Sequence, residues 1–270
     1  MGYWSQDERQ IGHGIEKVKW MVAEGDFTGK AENYSKYRPA YPIEIIRLLK
    51  EKYGFNKDMV IADIGCGTGI LARLFLENGN PVICVDPNED MLAVAKKILS
   101  SYSNVSFVVG KAESTRLNDH SVNVITVGQA FHWFDMDRAK REFRRILKAP
   151  NMVVLIWNDR DVRDPFTQQY EELVREFSKG YHGTGSTAIP AERIYSFFDY
   201  DYDYYQMDNF QALDLDGLIG RYLSNSYSLQ ENDPRYREAI SRLEDLFKTN
   251  QKDGKIVLKY TTKVFIGRLI

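Results

Sequence analysis

Residues 60–75 read VIADIGCGTGILARLF, and this stretch decides how the chain folds. An apolar run leads to Asp63, and an apolar helical pattern ends the stretch. Between them glycine occupies every second position, at Gly65, Gly67 and Gly69. A short apolar run bounded by glycine predicts a buried strand, and glycine lets the backbone take positive φ and approach a ligand closely. The stretch therefore predicts a strand, a tight loop and a helix, which is where open α/β sheets bind ligands.

Two common phosphate-binding loops do not fit this spacing. A P-loop needs Lys followed by Ser or Thr after its last glycine, and Ile70-Leu71 stands there instead. A dinucleotide fingerprint needs G-x-G-x-x-G, and Ile70 occupies the place of its third glycine. The loop therefore favours a ligand that is held without a phosphate-binding element.

The composition is that of a globular protein without a strongly charged partner. The 270 residues carry a formal net charge of −2, and 43% of them are hydrophobic. This balance gives no electrostatic case for nucleic acid or an anionic membrane, and no apolar run approaches the roughly 20 residues of a spanning helix. The start, MGYWSQDERQ, lacks the pattern of a signal peptide, and Cys66 and Cys84 fall in predicted central elements. We therefore expect reduced thiols and a cytoplasmic protein.

Strands and helices alternate along the middle of the chain. Apolar runs such as PVICVD, NVSFVVG, SVNVITVG and NMVVLIW predict strands, and the segments between them have helical periodicity. The alternation predicts an α/β fold with a doubly wound, mostly parallel sheet and helices on both faces. We expect one domain, 1–270, with an N-terminal cap (1–44), a ligand-binding core (45–158), a lid or acceptor insertion (159–200) and C-terminal strands and helices (201–270).

The spacing D-x-G-x-G-x-G from Asp63 to Gly69 resembles motif I of the class I methyltransferases that use S-adenosylmethionine. The stretches YSKYRPAYP, GQAFHWFD and YTTKVFIGR are similar to small-molecule methyltransferases related to trans-aconitate methyltransferase. One departure is KAPN at 148–151, where relatives usually show Lys-Pro-Gly. The resemblance implies a Rossmann-like sheet of seven strands, mostly parallel with an antiparallel last strand. It also implies S-adenosyl-L-methionine as cofactor and S-adenosyl-L-homocysteine as product.

An acidic residue follows the second predicted strand at the distance expected for a ribose contact. Asp86 stands 21 residues after Gly65 (86 − 65) and can accept hydrogen bonds from both ribose hydroxyls. Asp63 can face the positively charged methionine end of the cofactor, and Pro87 with Met91 would flank its adenine. The full set of implied cofactor contacts is Tyr34, Arg38, Asp63, Gly65, Cys66, Gly67, Gly69, Asp86, Pro87, Met91, Ala112, Glu113, Gly128, Gln129 and Ala130.

His132 and Arg38 are the candidate catalytic residues. Methyl transfer is an in-line displacement that depends on positioning, and a carboxylate acceptor would need no base at all. For a hydroxyl or amine acceptor His132 is the candidate general base, and the alternative is that His132 and Trp133 only pack over the cofactor. Arg38 suits a carboxylate because its guanidinium fork matches two oxygens, although a surface arginine on a capping turn has the same sequence pattern.

The predicted acceptor is a small molecule, with a carboxylate or hydroxyl favoured over an amine, and no metal, nucleic acid or membrane is expected. We expect Trp157, Tyr181 and His182 to line its pocket, and residues 1–40 and 178–195 to form a lid. The chain is expected to be a monomer or a weak homodimer. Three other interpretations stay open at this point: a cofactor-binding regulator without turnover, an NAD-dependent oxidoreductase, and a nucleic-acid or protein methyltransferase.

Overall fold

A computed structural model describes residues 31–181, 186 and 189–269 of the chain. Its strands are β1 (Ile61–Ile64), β2 (Val82–Asp86), β3 (Val105–Val109), β4 (Val122–Gly128), β5 (Leu147–Arg160), β6 (Tyr202–Leu213) and β7 (Ile256–Arg268). Its helices are α1 (Ala31–Tyr37), α2 (Glu44–Tyr53), α3 (Ile70–Glu77), α4 (Glu89–Ile98), α5 (Met136–Ile146), α6 (Pro165–Glu176), α7 (Ala191–Phe197), α8 (Leu215–Leu223) and α9 (Tyr236–Asn250). Among these described segments, no helix combines the length and apolar character that crossing a membrane requires.

The described strands form one sheet of seven in the order β3-β2-β1-β4-β5-β7-β6. Strands β1 to β5 pair in parallel, whereas β7 runs antiparallel to both β5 and β6. The chain moves to one side of β1 through β2 and β3, then crosses to the other side at β4. This reversal leaves a crevice beyond the carboxyl ends of β1 and β4. The predicted α/β fold, mostly parallel with an antiparallel last strand, is confirmed.

Helices cover both faces of the sheet. On one face, Leu49 of α2 and Phe75 of α3 are fully buried against the strands. On the other face, Phe143 of α5 and Phe197 of α7 are buried in a second cluster. Each such side chain contributes about 1.5–3 kcal/mol by leaving water. The sheet is thereby fixed from both sides, and its carboxyl edge is a rigid base for the loops above it.

The C-terminal third builds a third apolar cluster on the outer strands. Tyr170 of α6, Leu218 of α8 and Leu243 of α9 are buried together against Leu258 of β7. These helices and β7 lie downstream of the predicted core and extend the same sheet. They therefore add a wall beside the crevice.

The segment 159–200, predicted as a lid or insertion, contains the end of β5 and helices α6 and α7. Strand β5 continues to Arg160 because it pairs with β7 up to that residue. Helix α7 begins within the predicted lid 178–195, and its residue Ile194 is 3% exposed and packs in the core. Residues 182–185 and 187–188, and with them His182, lie outside the described residues, as do residues 1–30 of the predicted cap.

The described part of the N-terminal cap is helix α1, which rests on α8. The Tyr37 ring lies so close to Gly220 that a Cβ atom there would be 2.3 Å from the ring. The Gln211 side chain donates a hydrogen bond to the Tyr37 carbonyl oxygen at 2.9 Å. Glycine at position 220 thus permits α1 to dock against the C-terminal third, directly above the crevice.

Candidate functional site

The glycine loop between β1 and α3 is suspended from the end of β2. The amides of Gly65 and Cys66 donate to the Val85 carbonyl oxygen at 2.8 and 3.2 Å. The amide of Gly67 donates to Oδ2 of Asp86 at 2.8 Å. These bonds hold the loop in one conformation at the carboxyl edge of the sheet.

Two of the loop glycines are required by close packing. Gly65 has φ +68°, and a Cβ there would lie 2.6 Å from Cβ of Ala130. Gly69 has φ +84°, and a Cβ there would lie 2.7 Å from Cδ1 of Leu99. Glycine at position 69 thus lets α3 pack on Leu99, the residue that follows α4, and its predicted cofactor contact stays a prediction. Its close neighbour is a side chain of the fold.

A small cavity of about 40 Å³ lies under the loop. The sequence-predicted residues that line it are Tyr34, Arg38, Asp63, Gly65, Cys66, Gly67, Gly128 and Gln129. Polar residues that the sequence analysis missed also line it, namely Tyr41, Asn158 and Arg221. At about 10–15 Å³ for each water-sized probe, this space holds only a few waters. The cavity is therefore too small for a whole nucleoside, and the predicted ribose and adenine contacts at Asp86, Pro87 and Met91 lie outside its lining.

Asp63 is a buried carboxylate with one free oxygen in this cavity. The Thr126 hydroxyl donates to its Oδ1 at 2.9 Å, and Oδ2 has no hydrogen-bond partner among the described residues. Burial raises the pKa of Asp63 from 3.8 to about 7, although Thr126 and the nearby Ala72 amide act in the opposite direction. A buried acceptor without a donor costs free energy, so Oδ2 is poised to accept a bond from a ligand.

Two buried arginines share the same cavity. The Arg38 guanidinium lies 4.6 Å from the centre of the Tyr34 ring, and its Nη2 donates to the Ser224 carbonyl oxygen at 2.8 Å. Arg38 Nε is buried without a hydrogen-bond partner among the described residues. Arg221 donates from Nε to the Tyr260 hydroxyl at 3.1 Å and from Nη1 to Asn225 Oδ1 at 3.0 Å. Burial, followed by the charge of Arg221, lowers the pKa of Arg38.

The end of β4 forms the opposite border of the loop. Gln129 has φ +58°, an uncommon conformation for a residue other than glycine, and such strain often marks functional sites. Its Nε2 donates to the Asn158 carbonyl oxygen at 3.0 Å. A Cβ at Gly128 would lie 2.6 Å from the Tyr41 hydroxyl oxygen, so Tyr41 reaches the β4 backbone through this glycine. The predicted backbone border at Gly128 and Gln129 is thus part of the cavity wall.

Asp86 lies at the β2 end and already accepts two backbone hydrogen bonds. Its Oδ2 accepts from Gly67 and its Oδ1 from the Asn88 amide at 2.9 Å. Burial raises the pKa of Asp86, and these two amides lower it. Each carboxylate oxygen has two lone pairs, so both oxygens retain capacity for a ribose hydroxyl. Pro87 lies before α4 and Met91 lies in its first turn, and their adenine contact stays a prediction.

His132 lies in a different cavity from Arg38. The chain after β4 turns through Phe131–Trp133, and His132 there lines a wider, open cavity of about 610 Å³ together with Glu113. Its Nδ1 is buried without a partner among the described residues, and burial lowers its pKa to about 4. Because the two candidate catalytic residues face separate cavities, the structure does not bring them together as one catalytic pair.

Other predicted contacts have structural partners of their own. Ala130 is buried against the glycine loop, Ala112 is 4% exposed, and Glu113 accepts a hydrogen bond from the Asp135 amide at 2.8 Å. Trp157 was expected to line the acceptor pocket, but it is fully buried in the same apolar cluster as Phe143 and Phe197. Tyr181 donates from its hydroxyl to Glu171 in the C-terminal third.

Part of this chain is similar in sequence to known methyltransferases. Residues 62–155 match the family described as a methyltransferase domain. An uncharacterized methyltransferase of Schizosaccharomyces pombe is 34% identical over 149 residues, which are 55% of this chain and 58% of the relative. One of Mycobacterium tuberculosis is 35% identical over 141 residues, which are 52% of this chain and 55% of that protein. The chain thus matches little more than half the length of these relatives.

The solved structure of a type II methyltransferase from Anaeromyxobacter dehalogenans superimposes with a TM-score of 0.57 at 20% identity. It covers 87% of this chain and 99% of its own, which shows a shared fold. The matched segment begins at the strand before the glycine loop and ends within β5, so it contains the loop and the ends of β1, β2 and β4. Residues 62–155 are thus similar to a methyltransferase domain, and the described chain shares the fold of solved methyltransferase structures.

Proposed function

We propose that the chain transfers a methyl group from S-adenosyl-L-methionine to a small-molecule acceptor. The observation that carries this proposal is the cavity under the glycine loop. In it a buried carboxylate oxygen of Asp63 lacks a donor, and a buried guanidinium nitrogen of Arg38 lacks an acceptor. The amino-acid end of the cofactor has an ammonium and a carboxylate, which are the two groups that these residues lack.

The described residues fit the other parts of the cofactor as well. Asp86 retains acceptor capacity for the ribose hydroxyls, and Met91 at 4% exposure offers an apolar side chain beside it. Gly67 has no atom within 4 Å of the position that a Cβ would take, so a ligand can approach the loop there. These contacts support the cofactor assignment independently of the methionine end.

When bound, the cofactor supplies an electrophilic methyl group on a sulfonium. The residues of the chain hold the acceptor in line with it at about 3–3.5 Å and exclude water from the reacting atoms. A histidine with a pKa of about 4 is a weak base at neutral pH, and His132 faces the other cavity. Positioning therefore carries most of the catalysis, which favours an acceptor that needs no base from the protein.

Calorimetry with S-adenosyl-L-homocysteine tests the cofactor assignment. The wild type should bind at about micromolar strength, close to −8 kcal/mol. A screen of small metabolites with methyl-labelled cofactor then tests turnover. Absence of binding at millimolar ligand would refute the cofactor assignment. Tight binding without methyl transfer to any acceptor would instead support a cofactor-binding regulator.

A further inference from the structure

Strand β6 forms one edge of the sheet, and its outer side has no partner strand among the described residues. The strand order ends at β6, which pairs on its inner side with β7. That pairing runs without a register shift from Tyr202 to Leu213, so the strand is regular over its 12 residues. Within the strand only Leu213 is buried. The backbone groups on the outer side of β6 are therefore available to another strand.

The features that usually keep an edge strand from pairing with another chain are absent from β6. Such strands are commonly very short, or they carry lysine, proline or a bulge. Strand β6 has none of these, and its charged residues are Asp203 and Asp208. Tyr204 is 43% exposed and Phe210 is 69% exposed, and both side chains lie on the same face because they are an even number of residues apart. The strand thus presents two aromatic side chains beside a free backbone edge.

Strand β6 is self-complementary when it pairs antiparallel with a second copy of itself. If the two-fold axis passes through Met207, each residue lies opposite the residue at the same distance on the other side of Met207. Tyr204 then lies opposite Phe210 of the partner subunit, and the two-fold axis repeats this pair. Aromatic side chains that lie directly opposite each other stabilise antiparallel strands. The symmetric pairing therefore uses both exposed aromatic residues of each chain.

The charges of the strand favour the same register. With the axis at Met207, Asp203 lies opposite Gln211 of the partner subunit, and Asp208 lies opposite the partner subunit's Gln206. Each carboxylate thus meets an amide side chain that can donate a hydrogen bond to it. An axis at Asp208 would place two carboxylates directly opposite each other, which is destabilising. An axis at Gln206 would separate the two exposed aromatic residues.

We propose that the chain forms a homodimer in which the outer edges of two β6 strands pair antiparallel about a two-fold axis at Met207. The two sheets of seven strands then join into one continuous sheet. Because the strand pairing draws on a single strand from each chain, the dimer is weak and depends on protein concentration. Residues 202–213 do not line the cavity under the glycine loop, so this association is independent of the function proposed above.

A pair of introduced cysteines tests the register. The double variant Tyr204→Cys, Phe210→Cys brings each new thiol opposite a thiol of the partner subunit, and oxidised glutathione should link them into a disulfide dimer on a non-reducing gel. The two positions lie about 20 Å apart within one strand, so the link has to join two chains. Each single variant is a matched control and should cross-link at least 10-fold less, because its cysteine lies about 20 Å from its own copy. The wild type controls for Cys66 and Cys84, which are buried.

Light scattering measures the association of the unmodified chain. The mean mass should rise from the 31.3 kDa of one chain toward twice that value between about 1 and 100 µM protein. Phe210→Lys should remain a monomer over this range, because lysine on an edge strand opposes pairing. Val257→Lys is the matched control and should dimerise like the wild type, since Val257 is 45% exposed but lies on the inner strand β7.

Two results would overturn the proposal. One is a wild type that stays monomeric at about 100 µM, or single-cysteine variants that cross-link as readily as the double variant. The other is loss of the dimer in Val257→Lys as well as in Phe210→Lys, because two sheet faces rather than two edges would then be packed together. Binding of S-adenosyl-L-homocysteine does not enter these outcomes, so the dimer and the proposed function are tested separately.

Discussion

Replacing Asp63 by asparagine should make the cofactor-free protein more stable at alkaline pH. The folded-state pKa of Asp63 is about 7 against 3.8 for an unburied carboxyl group. The native state therefore holds this proton more tightly than the unfolded state does. The stability from the protonated carboxyl is fully present below pH 3.8 and is lost as pH rises through about 7. The side-chain amide of the variant is neutral throughout, so the variant escapes this loss.

The size of the effect follows from the shift of about three pKa units. Between about pH 4.5 and 8.5 the wild type should lose about 3 kcal/mol that the variant keeps. The Thr126 hydroxyl can still donate to the amide oxygen of the new side chain, so the hydrogen bond to Asp63 Oδ1 has a replacement. The variant minus wild-type difference in unfolding free energy should therefore rise with pH across this window.

Urea unfolding at several pH values measures that difference, with Asp208→Asn on exposed β6 as the control. The Asp63→Asn variant should also bind S-adenosyl-L-homocysteine at least 10-fold more weakly at pH 8, because a neutral amide cannot pair with the ligand ammonium. A difference in stability that stays flat from pH 4.5 to 8.5 would show that Asp63 is not held at a raised pKa. Unchanged affinity of the Asp63→Asn variant for S-adenosyl-L-homocysteine would contradict the proposed contact between Asp63 and the amino-acid end of the ligand.

Three further substitutions test other parts of the site. Asp86→Ala should weaken S-adenosyl-L-homocysteine binding by about 1–3 kcal/mol in calorimetry, because the acceptor for the ribose hydroxyls and for the Gly67 amide is lost. An affinity equal to that of the wild type would contradict the ribose assignment. Gly65→Ala should lower the free energy of unfolding in urea by about 1–3 kcal/mol more than Gly54→Ala does, because both glycines have similar positive φ but only Gly65 has a neighbour at 2.6 Å. Equal losses of stability would contradict the close packing at Gly65. His132→Gln should leave kcat within a few-fold across pH 6–9, and a 100-fold fall would identify it as a general base after all.

The local structure around the glycine loop could be predicted from sequence because its signals lie within a few residues. Apolar runs of four to seven residues, separated by helical periodicity, indicated the parallel strands. The glycine spacing indicated a left-handed loop, and the structure gives positive φ at Gly65, Gly67 and Gly69. The antiparallel direction of β7 was predicted only from the resemblance to a family, because hydrophobic periodicity carries no information on strand direction.

Residues that converge through tertiary packing escaped the sequence analysis. Arg221 follows Gly220 on a short amphipathic helix, and nothing within that helix distinguishes it from a surface arginine. It reaches the cavity because α8 packs on α1, and Arg38, just after α1, contacts Ser224 across 186 positions of sequence. The separation of His132 from Arg38 has a similar origin, because the turn after β4 sets which cavity each of its side chains faces.

The close contact of the Tyr37 ring with Gly220 determines which truncated fragments of this protein keep α1 in place. A fragment that ends after β5 would keep all the residues of the matched family segment, the glycine loop and Asp86 included. It would nevertheless lack the platform on which α1 lies, and with it the second guanidinium of the cavity. A boundary drawn at the end of the matched segment would therefore come too early, and a fragment that is to keep α1 over the loop has to retain α8 and β7.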